Sequence, residues 1–302
     1  LNEILVVGSV GYDSISTPKG RAENILGGST NYFALSSSLY TRVNVVGVVG
    51  NDYQDSDIEL LTKRGVDITG LQKVDGETFR WSGSYQGDMN EAKTLATHLN
   101  VLKDFKPTLP AAYKKSPIVF LANIDPVLQI EVLEQVDSPM LIGLDTMNYW
   151  IDSKLPALLD VIRKAQVITI NEKEAQKLTG EENTMKAARA LAAMGPKAVV
   201  IKRGEYGFVL FSEDRFFIAP SFPVETVVDP TGAGDSFAGG FFGFLSKIKG
   251  TPTFRDLQEA CVHGTVIASF TVEDFGVRSL LALDATKVER RLSHYTRVFS
   301  LS

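Results

Sequence analysis

A single cysteine, Cys261, stands in 302 residues, with only three histidines and two tryptophans. A lone cysteine excludes an intramolecular disulfide and any cysteine-built metal site, and its scarcity points to a reducing compartment. His98, His263 and His294 show no metal-ligand spacing. Basic residues are in deficit. The 31 Lys and Arg against 36 Asp and Glu leave a net charge of −5, without the basic stripe that a nucleic-acid partner requires. Long apolar runs are missing too. The opening stretch LNEILVVGSVGYDS has only a short apolar run before Gly8, too short for a signal-peptide core. No segment approaches the ~20 residues of a membrane span. The expectation is a soluble, cytoplasmic protein with neither a nucleic-acid nor a membrane partner.

What is present alternates short β-branched runs with longer amphipathic ones. Ile4–Val7, Val43–Val49, Ile118–Leu121, Met140–Leu144, Val167–Ile170 and Ala198–Ile201 read as buried strands. Between them, Thr30–Leu39, Asp55–Arg64, Pro126–Gln135, Leu155–Lys164 and Thr184–Met194 read as helices, followed late in the chain by Phe254–Phe270 and Asp284–Val298. This alternation predicts an α/β fold with a mainly parallel sheet covered on both faces. Phe208–Phe211, Phe216–Ile218 and Val224–Val228 read as antiparallel or edge strands. Gly65 to Gly87 breaks the rhythm. Its alternation and its DG and SG pairs suggest hairpins, which with residues after Gly11 would form a small β appendage. No repeat, low-complexity stretch or linker divides the chain, which reads as one domain over 1–302.

Ligands of open α/β sheets bind beyond the carboxyl ends of the strands. The residues there are Asp13, Asn123 with Asp125, Asp145 with Asn148, Asn171 with Glu174, Lys202 with Arg203, and Asp229 with Asp235. Turns and helix caps also favour Asp and Asn, so the set as a whole carries more than any one member. The most informative stretch is DPTGAGDSFAGGFFGFL, Asp229–Leu245, preceded by ETVV, which reads as a strand. DPTG reads as a turn and the rest as a helix whose first amides lack intrahelical partners. Gly232 and Gly234 leave that start bare for an anion, and Asp235 stands where a helix cap or a general base would stand. Gly239 and Gly243, four apart on one face, are expected to press the helix against the sheet. Position 237 is Phe, so no dinucleotide fingerprint is present, and no P-loop occurs.

DPTGAGDSFAGGF resembles the C-terminal signature of the ribokinase-like, or PfkB, carbohydrate kinases. GGSTNYFALSSSL at Gly27–Leu39 resembles their N-terminal signature, NEKE at Asn171–Glu174 their N-x-x-E motif, and VVGSVGYD their opening strand and substrate aspartate. These motifs run in family order from Val6 to about Gly276. The resemblance implies a three-layer α/β/α sandwich with a mainly parallel central sheet and a small β lid, at approximately 11–26 and 66–97. It implies an ATP-dependent kinase acting on a hydroxyl, primary by expectation, of a small sugar-like acceptor, with a nucleoside kinase as the alternative. A sugar- or nucleotide-binding protein without catalysis is the reading from another class, and the intact Asp235 speaks against it.

Carried over by residue, Asp235 would take the acceptor proton while the backbone of Gly232, Ala233 and Gly234 holds the phosphoryl group. Asp13, with Gly27, Gly28 and Asn31, would bind the acceptor. Here the chain departs from the usual GGxxxN, because Tyr32 stands at the asparagine's distance and Asn31 one step early. Asn171 and Glu174 would act on Mg²⁺ and the phosphates, Glu174 through water. The same pair, read from spacing alone, is equally a helix capping box. Arg203, Gly204, Thr231 and Gly276 fall in segments that the family turns toward nucleotide. A monovalent cation and a homodimer through the lid complete the implied set. Arg80 and Trp81 read as lid residues, either facing the acceptor or ordinary members of the lid's alternation.

Overall fold

The computed structural model describes residues 1–87 and 89–299. Its first half contains β1 (Ile4–Val7), β2 (Gly11–Thr17), β3 (Gly20–Gly27), α1 (Ser29–Ser37), β4 (Val43–Val49), α2 (Asp55–Lys63), β5 (Val66–Lys73), β6 (Phe79–Tyr85), β7 (Ala92–His98), β8 (Ile118–Leu121), α3 (Pro126–Leu133), β9 (Leu141–Leu144), α4 (Asn148–Ser153) and α5 (Leu155–Lys164). Its second half adds β10 (Val167–Asn171), α6 (Glu172–Thr179), α7 (Thr184–Ala193), β11 (Ala198–Lys202), β12 (Phe208–Ser212), β13 (Arg215–Ala219), α8 (Ala233–Leu245), α9 (Phe254–Thr271), α10 (Arg278–Leu281) and α11 (Ala285–Phe299).

Nine strands form the large sheet in the order β13-β12-β11-β10-β9-β8-β1-β4-β5. Pairing is parallel from β5 through β11 and antiparallel at β12 and β13. β1 lies between β8 and β4, so the chain leaves it toward opposite sides and opens a crevice at its carboxyl end. Successive side chains of a strand point to opposite faces. Ile4 and Val6 accordingly join one core with Phe33, Phe241, Phe242 and Ile267, while Leu5 and Val7 join a second with Val132, Leu158, Ile162 and Leu191. Those are the two helical layers of the sandwich, α1, α8 and α9 against one face and α3, α5 and α7 against the other.

A second sheet, in the order β3-β2-β6-β7, stands apart from the first. Two sequence expectations are corrected here. The segment 66–97 does not belong to it as a unit. β5 pairs in parallel with β4 at the edge of the large sheet, because α2 supplies the crossover that a parallel strand needs. Only β6 and β7 join the small sheet, so no hairpin spans Gly65–Gly87; the hairpin is β6–β7, and Asp88 between them lies outside the described residues. The second correction concerns Val224–Val228, which forms no strand. Its end docks on a helix terminus instead. The N–H groups of Val228 and Asp229 both donate to the carbonyl of Val272, just past α9, at 2.7 and 3.3 Å.

Gly239, Gly240 and Gly243 of α8 face α1, the turn after it and α9, not the sheet. A β-carbon on Gly239 would lie 2.5 Å from Cβ of Ser36 and 2.6 Å from the carbonyl oxygen of Phe33, both on α1. One on Gly243 would lie 2.5 Å from the ring of Tyr40, and one on Gly240 would meet Cα of Gly264 on α9 at 3.0 Å. The sheet side of α8 is occupied by aromatics. Phe242 sits 5.0 Å from Phe120 of β8, which stacks on Phe33 at 4.2 Å.

Candidate active site

The chain turns sharply between Asp229 and the start of α8. Both oxygens of the fully buried Asp229 carboxylate are used, one accepting from Thr231 N–H at 2.9 Å and the other from Gly276 N–H at 3.0 Å. Gly276, expected to meet nucleotide, therefore spends its amide on holding the turn. Gly232 caps α8 at φ +74, and a β-carbon there would lie 2.3 Å from the ring of Tyr32. Only glycine meets both conditions. Ala233 N–H donates to Pro230 O at 3.2 Å, so of the amides expected to hold an anion this one is occupied. Those of Gly232 and Gly234 have no partner among the described residues. Two bare amides at the positive end of a helix longer than three turns form an anion site.

Asp235 sits half-buried in the first turn of α8. Its pKa is pushed up to about 7, first by removal from water and then by the charge of Asp145, against the opposing pull of Lys202 and its own N–H. Lys202 and Asp145 form a buried ion pair, Nζ to Oδ2, at 2.6 Å. Burial alone would lower the Lys202 pKa, yet Asp145 reverses this and raises it, so the ammonium persists. Its Nζ lies 3.0 Å from where a β-carbon on Gly234 would stand, which puts a fixed cation over the anion turn. Both residues end strands that are otherwise buried, which is the signal that singled them out on the rim without a role. Their partnership was not legible.

Asn171 and Glu174 form a complete capping box at the start of α6. Asn171 Oδ1 accepts from Glu174 N–H at 2.8 Å and Glu174 Oε2 from Asn171 N–H at 3.1 Å. Glu174 is buried and stands at about 7, through desolvation and then the charge of Asp145. Arg203 is committed to Glu172, Nε to Oε1, at 2.8 Å, leaving it no free guanidinium edge on that side. At Gly204, a β-carbon would lie 2.5 Å from Oδ1 of Asn90, so the β6–β7 connection covers this turn.

Asp13, expected to bind the acceptor, lies on β2 of the small sheet, not directly after β1. Its carboxyl rests on Gly27 and Gly28, so close that a β-carbon on Gly27 would be 2.1 Å from Oδ2. Burial pushes its pKa to about 7, eased by the Gly28 N–H and sharpened by Asp229 and Asp235. Asn31 is fully buried and gives its amide to Gly27 O at 2.7 Å, bracing the helix start. Tyr32 is the residue that reaches the anion turn. Its hydroxyl is buried without a partner and feels the charges of Asp13, Asp229 and Asp235. Arg80 faces away, bonded to Asp52 at 2.6 Å, and lines a cavity of about 570 Å³ with Tyr12, Leu26, Asp57 and Phe275. Tyr12 points to the opposite face of β2 from Asp13, so Arg80, paired with Tyr12 across the small sheet, is turned from that carboxyl. Trp81 lies on the Asp13 face and donates to Thr94 Oγ1 at 3.3 Å.

An anion turn, a fixed ammonium, a carboxylate poised near neutrality and a β lid on an α/β/α sandwich define a phosphotransferase with an alcohol acceptor. Residues 1–283 match the pfkB family carbohydrate kinase. The chain belongs to that family and is an ATP-dependent kinase of the sugar and nucleoside class. It is 29% identical to a cytidine kinase of Thermococcus kodakarensis over 250 residues, covering 81% of this chain and 89% of the relative. It is 28% identical to a nucleoside kinase of Methanothermobacter thermautotrophicus, covering 95% of each, and 26% identical to a ribokinase of Bacillus subtilis, covering 92% and 95%. Among solved structures, an apo putative ribokinase II from E. coli superposes with a TM-score of 0.81 at 19% identity, covering 97% of this chain and 100% of that one. A Methanocaldococcus jannaschii nucleoside kinase superposes with a TM-score of 0.77 at 21% identity, covering 97% and 99%.

Proposed function

We propose that the chain moves the γ-phosphoryl group of ATP to a primary hydroxyl of a pentose, with the pentose of a nucleoside preferred over the free sugar. Two of the relatives named above are nucleoside kinases by name and the third acts on ribose by name, which supports a pentose in either form. The observation that carries the chemistry is Asp235, half-buried one residue from the free Gly234 amide and raised to about 7. A carboxylate near neutrality is matched to accept a proton as the hydroxyl attacks phosphorus. The acceptor oxygen–phosphorus bond forms, the bond to the leaving ADP breaks, and Asp235 keeps the proton. The amides of Gly232 and Gly234 and the ammonium of Lys202 hold the negative charge in place. Asp13 orients the acceptor from the lid.

Glu174 and Asn171 would hold Mg²⁺ with the phosphates and water. The group fits: Glu174 spends only Oε2 on the capping box and is buried beside the charge of Asp145, and Mg²⁺ on nucleotides needs only one or two carboxylates. The buried, charge-strained Glu174 would gain a counter-ion. When bound, the ion offsets phosphate charge. Activation by a monovalent cation, a lid-to-lid homodimer and a cytoplasmic location, where ATP is made available, belong to the same proposal. No helix of the described residues is long and apolar enough to cross a membrane.

Asp235→Asn is expected to lower kcat by about a hundredfold or more while an ATP analogue still binds. Near-normal turnover would remove Asp235 from the mechanism. A melting-temperature screen of pentoses and nucleosides, with and without a non-hydrolysable ATP analogue, identifies the acceptor, since a ligand of the native state raises its apparent stability. A shift with free sugars and none with nucleosides would overturn the nucleoside preference.

A further inference from the structure

We propose that Tyr85, carried on the lid, donates a hydrogen bond to the phosphoryl group as it is transferred. The inference rests on the kinase reading of the site and adds a participant to it. Tyr85 ends β6, and β6 runs parallel to β2 with Asp13 opposite Trp81. Positions 81, 83 and 85 therefore share the face of the lid that bears Asp13. From that face Tyr85 reaches across to the anion turn. There Thr231 Oγ1 donates to its hydroxyl oxygen at 3.2 Å. With its oxygen engaged as acceptor, the phenol keeps its own proton to give. The groups around it are Asp229, Asp13 and Asp235, all acceptors, together with the unpartnered hydroxyl of Tyr32. Burial raises the Tyr85 pKa further, so the proton stays on the oxygen throughout the working range.

The lid is seated so as to hold Tyr85 there. Thr17 on β2 donates to Val228 O at 2.8 Å, one residue before the turn begins. Glu91, beyond the tip of β6, pairs with Lys173 on α6, next to Glu174. Every one of these contacts lands on the half of the molecule that holds phosphate, not on the acceptor loop at Gly27–Gly28. A cover whose task was only to shield the acceptor would have no reason to end in a hydroxyl at the anion turn. A donor placed where charge develops is worth most in a water-excluded site.

Tyr85→Phe keeps the ring and removes the proton. Wild-type acceptor-dependent ADP release is measured first, because its absence would overturn the kinase reading and with it the role of Tyr85, whereas a failure confined to the variant leaves the kinase reading standing. Given wild-type turnover, the variant is expected to lose about tenfold or more in kcat with the acceptor KM changed less than about threefold, as for an interaction made in the transition state. Acceptor-free ATP hydrolysis is expected to stay level or fall. Unchanged kcat would overturn the proposal. So would a raised acceptor KM with increased acceptor-free hydrolysis, which is the signature of a residue that only seals the site. Thr231→Val, which frees the Tyr85 oxygen without touching its proton, is expected to lose less than Tyr85→Phe; a larger loss, with Tyr85→Phe near wild type, would overturn the proposal and assign the effect to Thr231 instead.

Discussion

Asp13, Glu174 and Asp235 all stand at about 7, and in each case burial is the leading cause. A carboxyl whose folded pKa is raised holds its proton more tightly folded than unfolded. The folded chain is thus favoured while these groups are protonated, and stability is lost as pH climbs from the ordinary carboxylate range toward about 7. The ligand-free protein is expected to melt progressively lower from pH 5 to pH 8. Asp235→Asn, which carries no charge to desolvate, is expected to melt higher than wild type at pH 8, with the gap closing toward pH 5. A lower melting point for the variant at pH 8 would contradict the burial argument. With Asp235 as the proposed base, the same titration predicts an acid limb in kcat/KM near pH 7, because a base must be ionised in the free enzyme. The place of Asp235 in the first turn of a helix was legible in the sequence because it depends on immediate neighbours, two glycines and a helix start. Lys202 and Asp145 were visible only as strand ends. Their bond joins positions 57 apart in the chain, and nothing local announces such a pair.

Elements were legible in kind and less so in placement. The strands of the large sheet appear almost where β-branched runs put them, since a buried parallel strand must be apolar on both faces. Helix α8 was recognised from its cap and its glycines, but spacing fixes only which residues share a face, not what lies opposite. Gly239 proved to face α1 through Ser36 and Phe33. Gly239→Val is therefore expected to push α8 off α1 and cost about 1–3 kcal/mol in urea unfolding, the usual penalty of overpacking. Activity should fall with it, because the first turn of α8 carries Asp235. Val224–Val228 has strand composition and no strand partner, and Val228 at its end gives its N–H to Val272. Composition alone does not show which edge is free.

At the scale of the whole molecule, alternation of strands and helices was enough for the sandwich, and the family motifs were enough for the lid. The assignment of Val66–Lys73 to the lid failed because a strand that is mostly half-exposed looks the same in either sheet. What the structure adds is the way the two bodies meet. Glu91 of the lid and Lys173 of α6 form an exposed pair, whose attraction by itself is worth little. Reversing one charge puts like charges at the closure. Lys173→Glu is accordingly expected to raise the acceptor KM severalfold at low salt, with the effect fading as salt screens it. Adding Glu91→Lys should restore the wild-type value. Failure of the double variant to recover would mean that Lys173 serves the nucleotide and not the closure.

The small sheet shares no strand with the large one. Replacements along 11–27 and 79–98 can alter what is admitted without disturbing a single rung of the nine-stranded ladder, whereas α8 is wedged between two helices and tolerates almost nothing. Apart from Tyr85, appetite and machinery are thus separately inheritable. A population of variants selected in the laboratory for growth on a foreign alcohol should gather its winning mutations in those two excursions and leave the glycine-rich helix untouched.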